Sequence, residues 1–506
     1  MHPQSFDYII VGGGSAGCAT AGGLVESDTG TVAVLEAGPS DASPMVRTPF
    51  ALMFMMGSTK RDWGLESSPQ EALGGRCVTV PRGKMIGGSG SINSMVWFRG
   101  RMDDFDRWNV PGWSAADVSP VFDKVEALMR PKRLPHPHPL AERFARVFSE
   151  HGELPPTPER ESSGIFHTNM RGSRRWSPAD AFLNPAKSSG RLTVKTRKQV
   201  ARILFEGQRA IAVELIDGSK ISARKGIVLC AGALESPAIL MRSGIGPAKD
   251  LYPLGIDILM DAPQVGQNLH DHPAVGLHHA GPNSGYGLTL RQLPMWLLAP
   301  FAFMLSGKGP FASNIVEAGA FFNARGENGP PDVQVHFIPY MMGWKGRNPV
   351  IGSGYFADVN VLQPKSRGTL KLLSADPASA PRIDLGVLSD PEDMNTLVAA
   401  FKRLREILDI APFSEMRAPE VYPAQNAVTD EQIRAYIRET AGTSYHPVGT
   451  LRMGEGEAPV SPQLRLKGME NLWIADASVM PRITSANINA PCIMIGYRAG
   501  KIIPTR

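Results

Sequence analysis

At 506 residues the chain is long enough for two to four domain-sized units, and its 42% hydrophobic and 20% charged residues exclude a disordered chain. The net charge of +5, from 53 basic and 48 acidic residues without a long basic run, leaves no electrostatic footprint for nucleic acid. Cys18, Cys77, Cys230 and Cys492 are widely spaced and include no C-x-x-C, which excludes a disulfide framework or a cysteine zinc site and fits a reducing, cytoplasmic setting.

The N-terminal run FDYIIVGGG predicts a strand, and it lacks the basic segment, apolar core and cleavage site of a secretory leader. It opens into Gly12, Gly14 and Gly17, spaced G-x-G-x-x-G. A helix and a second strand, ending in Glu36, follow. In that context the glycines allow a tight turn and close approach to a pyrophosphate, the helix N-terminus faces the phosphates, and Glu36 can accept hydrogen bonds from a ribose. The segment from Arg76 to Asp106 is rich in Gly, Ser and Asn and reads as a long ligand-wrapping loop. Residues 130 to 140, RPKRLPHPHPL, read as an exposed linker whose two histidines are solvated. The runs RLTVKTRKQVARILFEG and AIAVELIDGSKISARKGIVLCAG predict a small antiparallel sheet that feeds back into the core.

After Gly266 the texture changes to apolar helices, strands such as DVQVHFIPY and RGTLKLL, and a helix from about Asp390 to Leu408, which together read as a second domain. The apolar stretch Leu293 to Leu305 holds two prolines and is too short to span a bilayer, so no transmembrane segment is expected and the stretch reads as buried or lid structure. Met341, Met342 and Trp344 read as core or lid packing, and His336 as facing a cavity or alternating on a strand. In TSYHPVGTLRM, Pro447 holds His446 extended and Gly449 permits positive φ or close approach of something bulky. NLWIADASVMP predicts a strand ending in Asp476, and the second half of SANINAPCIMIGYRAGKII a helix. The expected division is a discontinuous domain of residues 1–265 and 440–506 with a second domain of residues 266–439.

Two long stretches, GKMIGGSGSINSMVWFRGRMDDFD (Gly83 to Asp106) and GALESPAILMRSGIG (Gly232 to Gly246), carry a resemblance to the glucose-methanol-choline (GMC) oxidoreductases, a family of FAD-dependent alcohol oxidases and dehydrogenases. The resemblance implies an α/β fold: a Rossmann-like FAD-binding domain beside an α+β substrate domain built on an antiparallel sheet with helices. It implies that Gly12, Gly14, Ser15, Ala16, Gly17, Glu36 and Ala37 hold the ADP half, and that Arg82, Gly87, Gly88, Ser89 and Asn93 wrap pyrophosphate and flavin. Val200 would present its backbone to adenine, Asp476 and Ala477 would contact the ribitol-phosphate, and Asn487 and Pro491 would complete the cofactor site. His446 matches the family's base and Asn489 its partner, with Gly449 letting this segment run against the flavin ring. His336 and Tyr445 are candidate substrate contacts. Where some members attach FAD through a histidine, this chain reads Ser91, Ile92, Asn93, so noncovalent FAD is implied. His270, Asp271 and His272 match a family loop without metal.

The chemistry agrees with these residue types. Oxidising an alcohol removes a proton from oxygen and a hydride from carbon; a flavin takes the hydride. A neutral histidine with a pKa near ambient pH suits the proton, and an uncharged asparagine amide can donate to the developing alkoxide. The expected reaction is oxidation of a small-molecule alcohol, primary and partly apolar (aryl or alkyl), to the aldehyde, with oxygen or a quinone as acceptor. Two alternatives stay open: a hydroxynitrile lyase that keeps FAD only as structure, and a redox-silent flavin-binding protein.

Overall fold

In the computed structural model the described residues are 4–148, 154–281, 284–341, 352–410 and 418–503, with the short strands Trp344–Lys345 and Asn348–Pro349. Met342 lies outside them. Six strands, β1 (Gln4–Val11), β2 (Val32–Glu36), β3 (Leu192–Thr196), β4 (Val200–Glu206), β5 (Arg209–Leu215) and β6 (Lys220–Leu229), join Leu472–Ile474 in one sheet of order β3-β2-β1-β6-β5-β4. Strands β3, β2, β1 and β6 and the segment Leu472–Ile474 run parallel. The central strands β1 and β2 are buried on both faces over the near-continuous apolar runs YIIV and VAVLE. Strand β6 is ten residues long and serves two partners along the edge opposite β1: Ile227–Leu229 pair in parallel with Leu472–Ile474, while Ile221 and its neighbours pair antiparallel with β5. The expected antiparallel sheet is therefore β4-β5-β6, whereas β3 joins the parallel edge through β2.

The helix Ser15–Glu26 follows the glycine turn and packs on the C-terminal helix Asn489–Ile502. Small residues make this contact close: a Cβ on Gly500 would lie 2.7 Å from Gly23 Cα, and one on Gly496 would lie 2.2 Å from the Ala16 carbonyl oxygen. The two helix N-termini thereby meet, and the Ser15 hydroxyl donates to Asn489 Oδ1 at 2.7 Å.

A second sheet, antiparallel throughout, contains β7 (Pro273–Ala280), β8 (Ala318–Phe322), β9 (Val333–Ile338) and β10 (Gly354–Val361). Its order is Glu420–Tyr422, β7, β10, β9, β8, Ser162–Ile165, and Gly442–Thr443 also pairs with β7. The edge strand Ser162–Ile165 comes from the part of the chain assigned to the first domain, and Gly442–Thr443 from its C-terminal return, so the division at 265 and 440 is crossed by backbone pairing. The helix Pro391–Asp409 covers β7 and β10.

Two expectations change. Leu293–Ser306 is a helix with a mostly exposed face, neither buried nor lining the cavity described below. His138 is not a solvated linker residue: its Nδ1 accepts from the Leu140 N–H at 3.1 Å and caps the short helix Pro139–Phe144, and burial brings its pKa down to about 4.

Gly17 is fixed by packing. A Cβ there would lie 2.0 Å from the Gly12 carbonyl oxygen. Gly17→Ala is expected to destabilise the fold by about 1–3 kcal/mol through overpacking against rigid backbone; thermal unfolding should show a lower midpoint, and an unchanged one would mean that the turn yields freely.

Candidate functional site

One cavity of about 630 Å³ runs between the two sheets, from the glycine turn after β1 to the segment around His446. At the first end, the turn is held by Glu36: its carboxylate accepts from the Gly13 N–H at 2.9 Å and the Gly38 N–H at 2.8 Å. Burial raises its pKa to about 7 against the pull of those donors. Gly12 has φ +102° and its Cβ would lie 2.5 Å from the Cys230 carbonyl oxygen, so the protein itself requires glycine there. Gly14 differs. A Cβ there would meet only Gly88 Cα, at 3.9 Å, and would point into the cavity. Its missing side chain leaves room for a ligand rather than for the protein.

A second feature of this end fits a dinucleotide. Asn489 Nδ2 is buried without a hydrogen-bond partner, while its Oδ1 is taken by Ser15. An orphaned buried donor beside a helix N-terminus suits a phosphate or flavin oxygen. The residues present therefore fit FAD. Ala16, Ala37, Arg82, Ser89, Asn93, Val200, Asp476 and Ala477 also line the cavity, as the sequence led us to expect. Asp476 is spent on the protein, accepting from Gly232, Ser236 and Ser478.

Three expected cofactor contacts do not line the cavity: Gly17, Gly87 and Pro491. Gly17 packs under the turn. Gly87, at φ +84°, donates its N–H to the Gly13 carbonyl at 2.7 Å and so ties the two glycine loops together. Pro491 is buried in the first turn of the C-terminal helix.

Sequence reasoning missed Arg175. Its buried guanidinium donates to the Gly90 carbonyl at 3.2 Å, to Asn93 Oδ1 at 2.7 Å and to the Asn93 carbonyl at 2.6 Å. It clamps the loop that shapes the cavity floor, and burial lowers its pKa to about 9. No spacing rule marks such a residue, because its partners are backbone carbonyls 82 and 85 positions away.

At the other end, His446 follows Tyr445, a non-glycine residue at φ +64°. The His446 N–H donates to both oxygens of Asp271, at 2.8 and 2.9 Å, which fixes the bend. Burial raises that carboxyl to about 7, against the pull of the His446 N–H and then of the Arg82 charge. Gly449 lies away from the cavity. A Cβ there would lie 2.5 Å from the Asn268 carbonyl oxygen and 2.8 Å from His270 Cε1, so the bulky neighbour it accommodates is the 268–270 loop, not a flavin.

The protons on the histidines can be assigned from their partners. His272 Nε2 lies 3.1 Å from the Leu362 carbonyl, which only accepts, so Nε2 carries the hydrogen. Burial drives the His272 pKa down to about 3, so the ring is neutral and its Nδ1 is an acceptor. His446 Nδ1, 3.0 Å away, must then be the donor. That leaves the lone pair on His446 Nε2, inside the cavity. Burial first, then His272, His336 and Arg82, hold the His446 pKa well below 6.5 rather than near ambient pH.

The amide that meets this lone pair belongs to Asn487, not to Asn489. Asn487 accepts from Gln334 Nε2 through its Oδ1 at 3.1 Å, which turns its Nδ2 toward His446 Nε2 at 3.3 Å and His336 Nε2 at 3.4 Å. The two asparagines are two residues apart but point differently: Asn489 starts the helix at the phosphate end, and Asn487 precedes it. His336 is placed by strand register, opposite Asp358 on β10, and its Nδ1 lies 3.1 Å from that carboxylate. His336 and Tyr445 both line the cavity. His272, from the loop that the resemblance gives no metal, sits directly on His446. Among the described residues no cluster of His, Cys, Asp or Glu could hold a metal. The cavity is also lined by the apolar Leu52, Met53, Met56, Ile315, Ile338 and Phe356.

Two family models described as GMC oxidoreductase match residues 6–274 and 364–496. The chain is 35% identical to an alcohol dehydrogenase (acceptor) of Pseudomonas putida, over 98% of this chain and 95% of that one. It is 36% identical to an oxygen-dependent choline dehydrogenase of Brucella suis biovar 1, over 97% and 94%. Among solved structures, a pyridoxine 4-oxidase from Mesorbium loti is similar with a TM-score of 0.84 and 29% identity over 98% of each chain. Glycine turn, clamped loop and buried uncharged histidine thus sit in a chain matched from end to end, and the protein belongs to the GMC oxidoreductase family, FAD-dependent oxidoreductases acting on CH–OH groups.

Proposed function

We propose that the protein oxidises a primary, partly apolar alcohol to its aldehyde, with FAD held noncovalently, His446 as the base and oxygen or a quinone as final acceptor. The observation that carries this reading is the lone pair on buried His446 Nε2, aimed into the cavity beside the Asn487 amide. FAD, when bound, supplies the acceptor for the hydride and passes the electron pair on. Gly12, Gly14, Ser15, Glu36, Ser89, Asn93 and Asn489 are the residues that would hold it. His446 Nε2 takes the hydroxyl proton as the carbon gives up its hydride, and the Asn487 amide steadies the oxygen. The walls Ile315, Ile338, Phe356 and Met53 exclude water and receive the apolar part of the alcohol. This wall, rather than the Leu293–Leu305 helix, supports the preference for apolar substrates.

An anaerobic panel of benzyl, alkyl and choline alcohols, scored by loss of the oxidised flavin band, tests the reading; no bleaching by any of them would remove it. With a base held well below 6.5, protonation competes only in acid, so the rate should stay level through neutral and alkaline pH and fall as pH drops through the His446 value. His446→Ala should keep FAD, lose roughly 10²- to 10⁴-fold in rate and lose the acid limb. A rate that climbs through pH 7 would place the base elsewhere.

The two asparagines should separate cleanly. Asn489→Ala is expected to weaken FAD retention, and Asn487→Ala to retain FAD while slowing turnover by roughly 10²-fold, the scale of one lost positioned donor. Equilibrium dialysis of FAD beside turnover assays would expose the reverse assignment. Acid precipitation should release all flavin, since the cavity wall carries Ile92 at the attachment position; yellow colour in the pellet would contradict this.

A further inference from the structure

Ten of the twenty exposed large apolar side chains among the described residues cluster on one face, which makes this face the exception on an otherwise ordinary surface. Its centre is the helix Leu293–Ser306, about 21 Å long. Leu293, Leu297, Phe301, Met304 and Leu305 recur at intervals of three and four residues and look outward, Leu305 at 87% exposure. Leu288 and Leu290 extend the face before the helix. Phe50 joins it to Phe54 and Met53, because its ring lies 5.3 Å from Trp296 and 6.1 Å from Phe54.

The chain segments that form this face carry charge of one sign. No acidic residue occurs from Ser284 to Val316, from Pro44 to Arg61 or from Thr168 to Trp176, in a chain that carries 48 of them. The same stretches expose Arg291 and Lys308 at the two ends of the helix, and Arg171 and Arg174 beside its C-terminus, where the Ser173 hydroxyl donates to the Gly307 carbonyl. A second copy docked on this face would bring basic rim against basic rim with no acid to pair. A convex apolar ridge with a basic border instead matches a helix lying in the plane of an anionic lipid surface.

We propose that the helix Leu293–Ser306 and its basic border form a docking face for an anionic membrane surface. The face is continuous with the cavity, since Met53 both lines the cavity and stands 36% exposed at the edge of the apolar patch. If the reading of the substrate as an apolar alcohol holds, docking sets the cavity mouth against the phase in which such alcohols concentrate.

The test uses the full-length, FAD-loaded protein in vesicle co-sedimentation, which does not depend on activity. Vesicles of phosphatidylcholine with about one-third phosphatidylglycerol should bind it at least tenfold better than phosphatidylcholine alone, and high salt should weaken that preference. The variant Leu297→Ser/Phe301→Ser/Leu305→Ser should lose binding to both, and Arg174→Glu/Lys308→Glu should lose only the preference for anionic lipid. Both variants should keep FAD and turnover of a water-soluble alcohol, which certifies their fold. Wild-type protein left in the supernatant with anionic vesicles overturns the proposal. So does a wild-type dimer by light scattering that the triple serine variant converts to monomer without any vesicle binding, since the face would then belong to a second copy.

Discussion

The chemistry of this site hangs on a carbonyl oxygen. Leu362 accepts from His272 and thereby sets one ring, which sets the next: His272 becomes an acceptor at Nδ1, His446 a donor at Nδ1, and the lone pair appears at His446 Nε2, where it meets the Asn487 amide. The first link has one allowed direction, because a carbonyl only accepts, and the second follows once the His272 ring is neutral. Burial then works in the same sense, keeping both rings uncharged. The Asp271 carboxylate fixes the backbone of His446 without touching its ring, which leaves the side chain's proton placement to its neighbours.

A second constraint ties the glycine-turn end of the cavity to the histidine end. The first and last helices meet through glycines, Gly23 against Gly500 and Gly496 against Ala16, at distances that admit no Cβ. That contact sets Asn489 at the N-terminus of the C-terminal helix beside Ser15, and Asn487, two residues earlier, at the histidines. One short segment thus serves both ends of the cavity. Its two amides have different tasks because the helix begins between them. On the other side, Arg175 holds the 90–93 loop from beneath, and its guanidinium stays buried because carbonyls surround it.

The apolar helix Leu293–Ser306 shows how composition and placement part company. Its sequence is apolar nearly all round, which by itself describes a buried helix. In the fold only Ala299 is buried, because the helix rests on Phe50 and Phe311 at the rim of the molecule instead of entering a core. Periodicity cannot distinguish these cases, since the neighbours that would cover the helix lie elsewhere in the chain.

What the sequence determined by itself is local. The strand, glycine turn and helix, with Glu36 ending the next strand, follow from short-range backbone and burial rules, and the two long stretches at 83–106 and 232–246 identified the family. His446 was legible because its Pro-Gly context is contiguous. Tertiary structure decided everything that depends on direction: that Asn487 and not Asn489 faces the base, that His272 is its hydrogen-bond partner and not a bystander, that Gly449 makes room for a loop, and that Ser162–Ile165 closes the second sheet. The physical reason is the same in each case. Where a side chain or strand edge points is set by partners far along the chain, 174 residues for His272 and His446, and no local rule reaches across that separation.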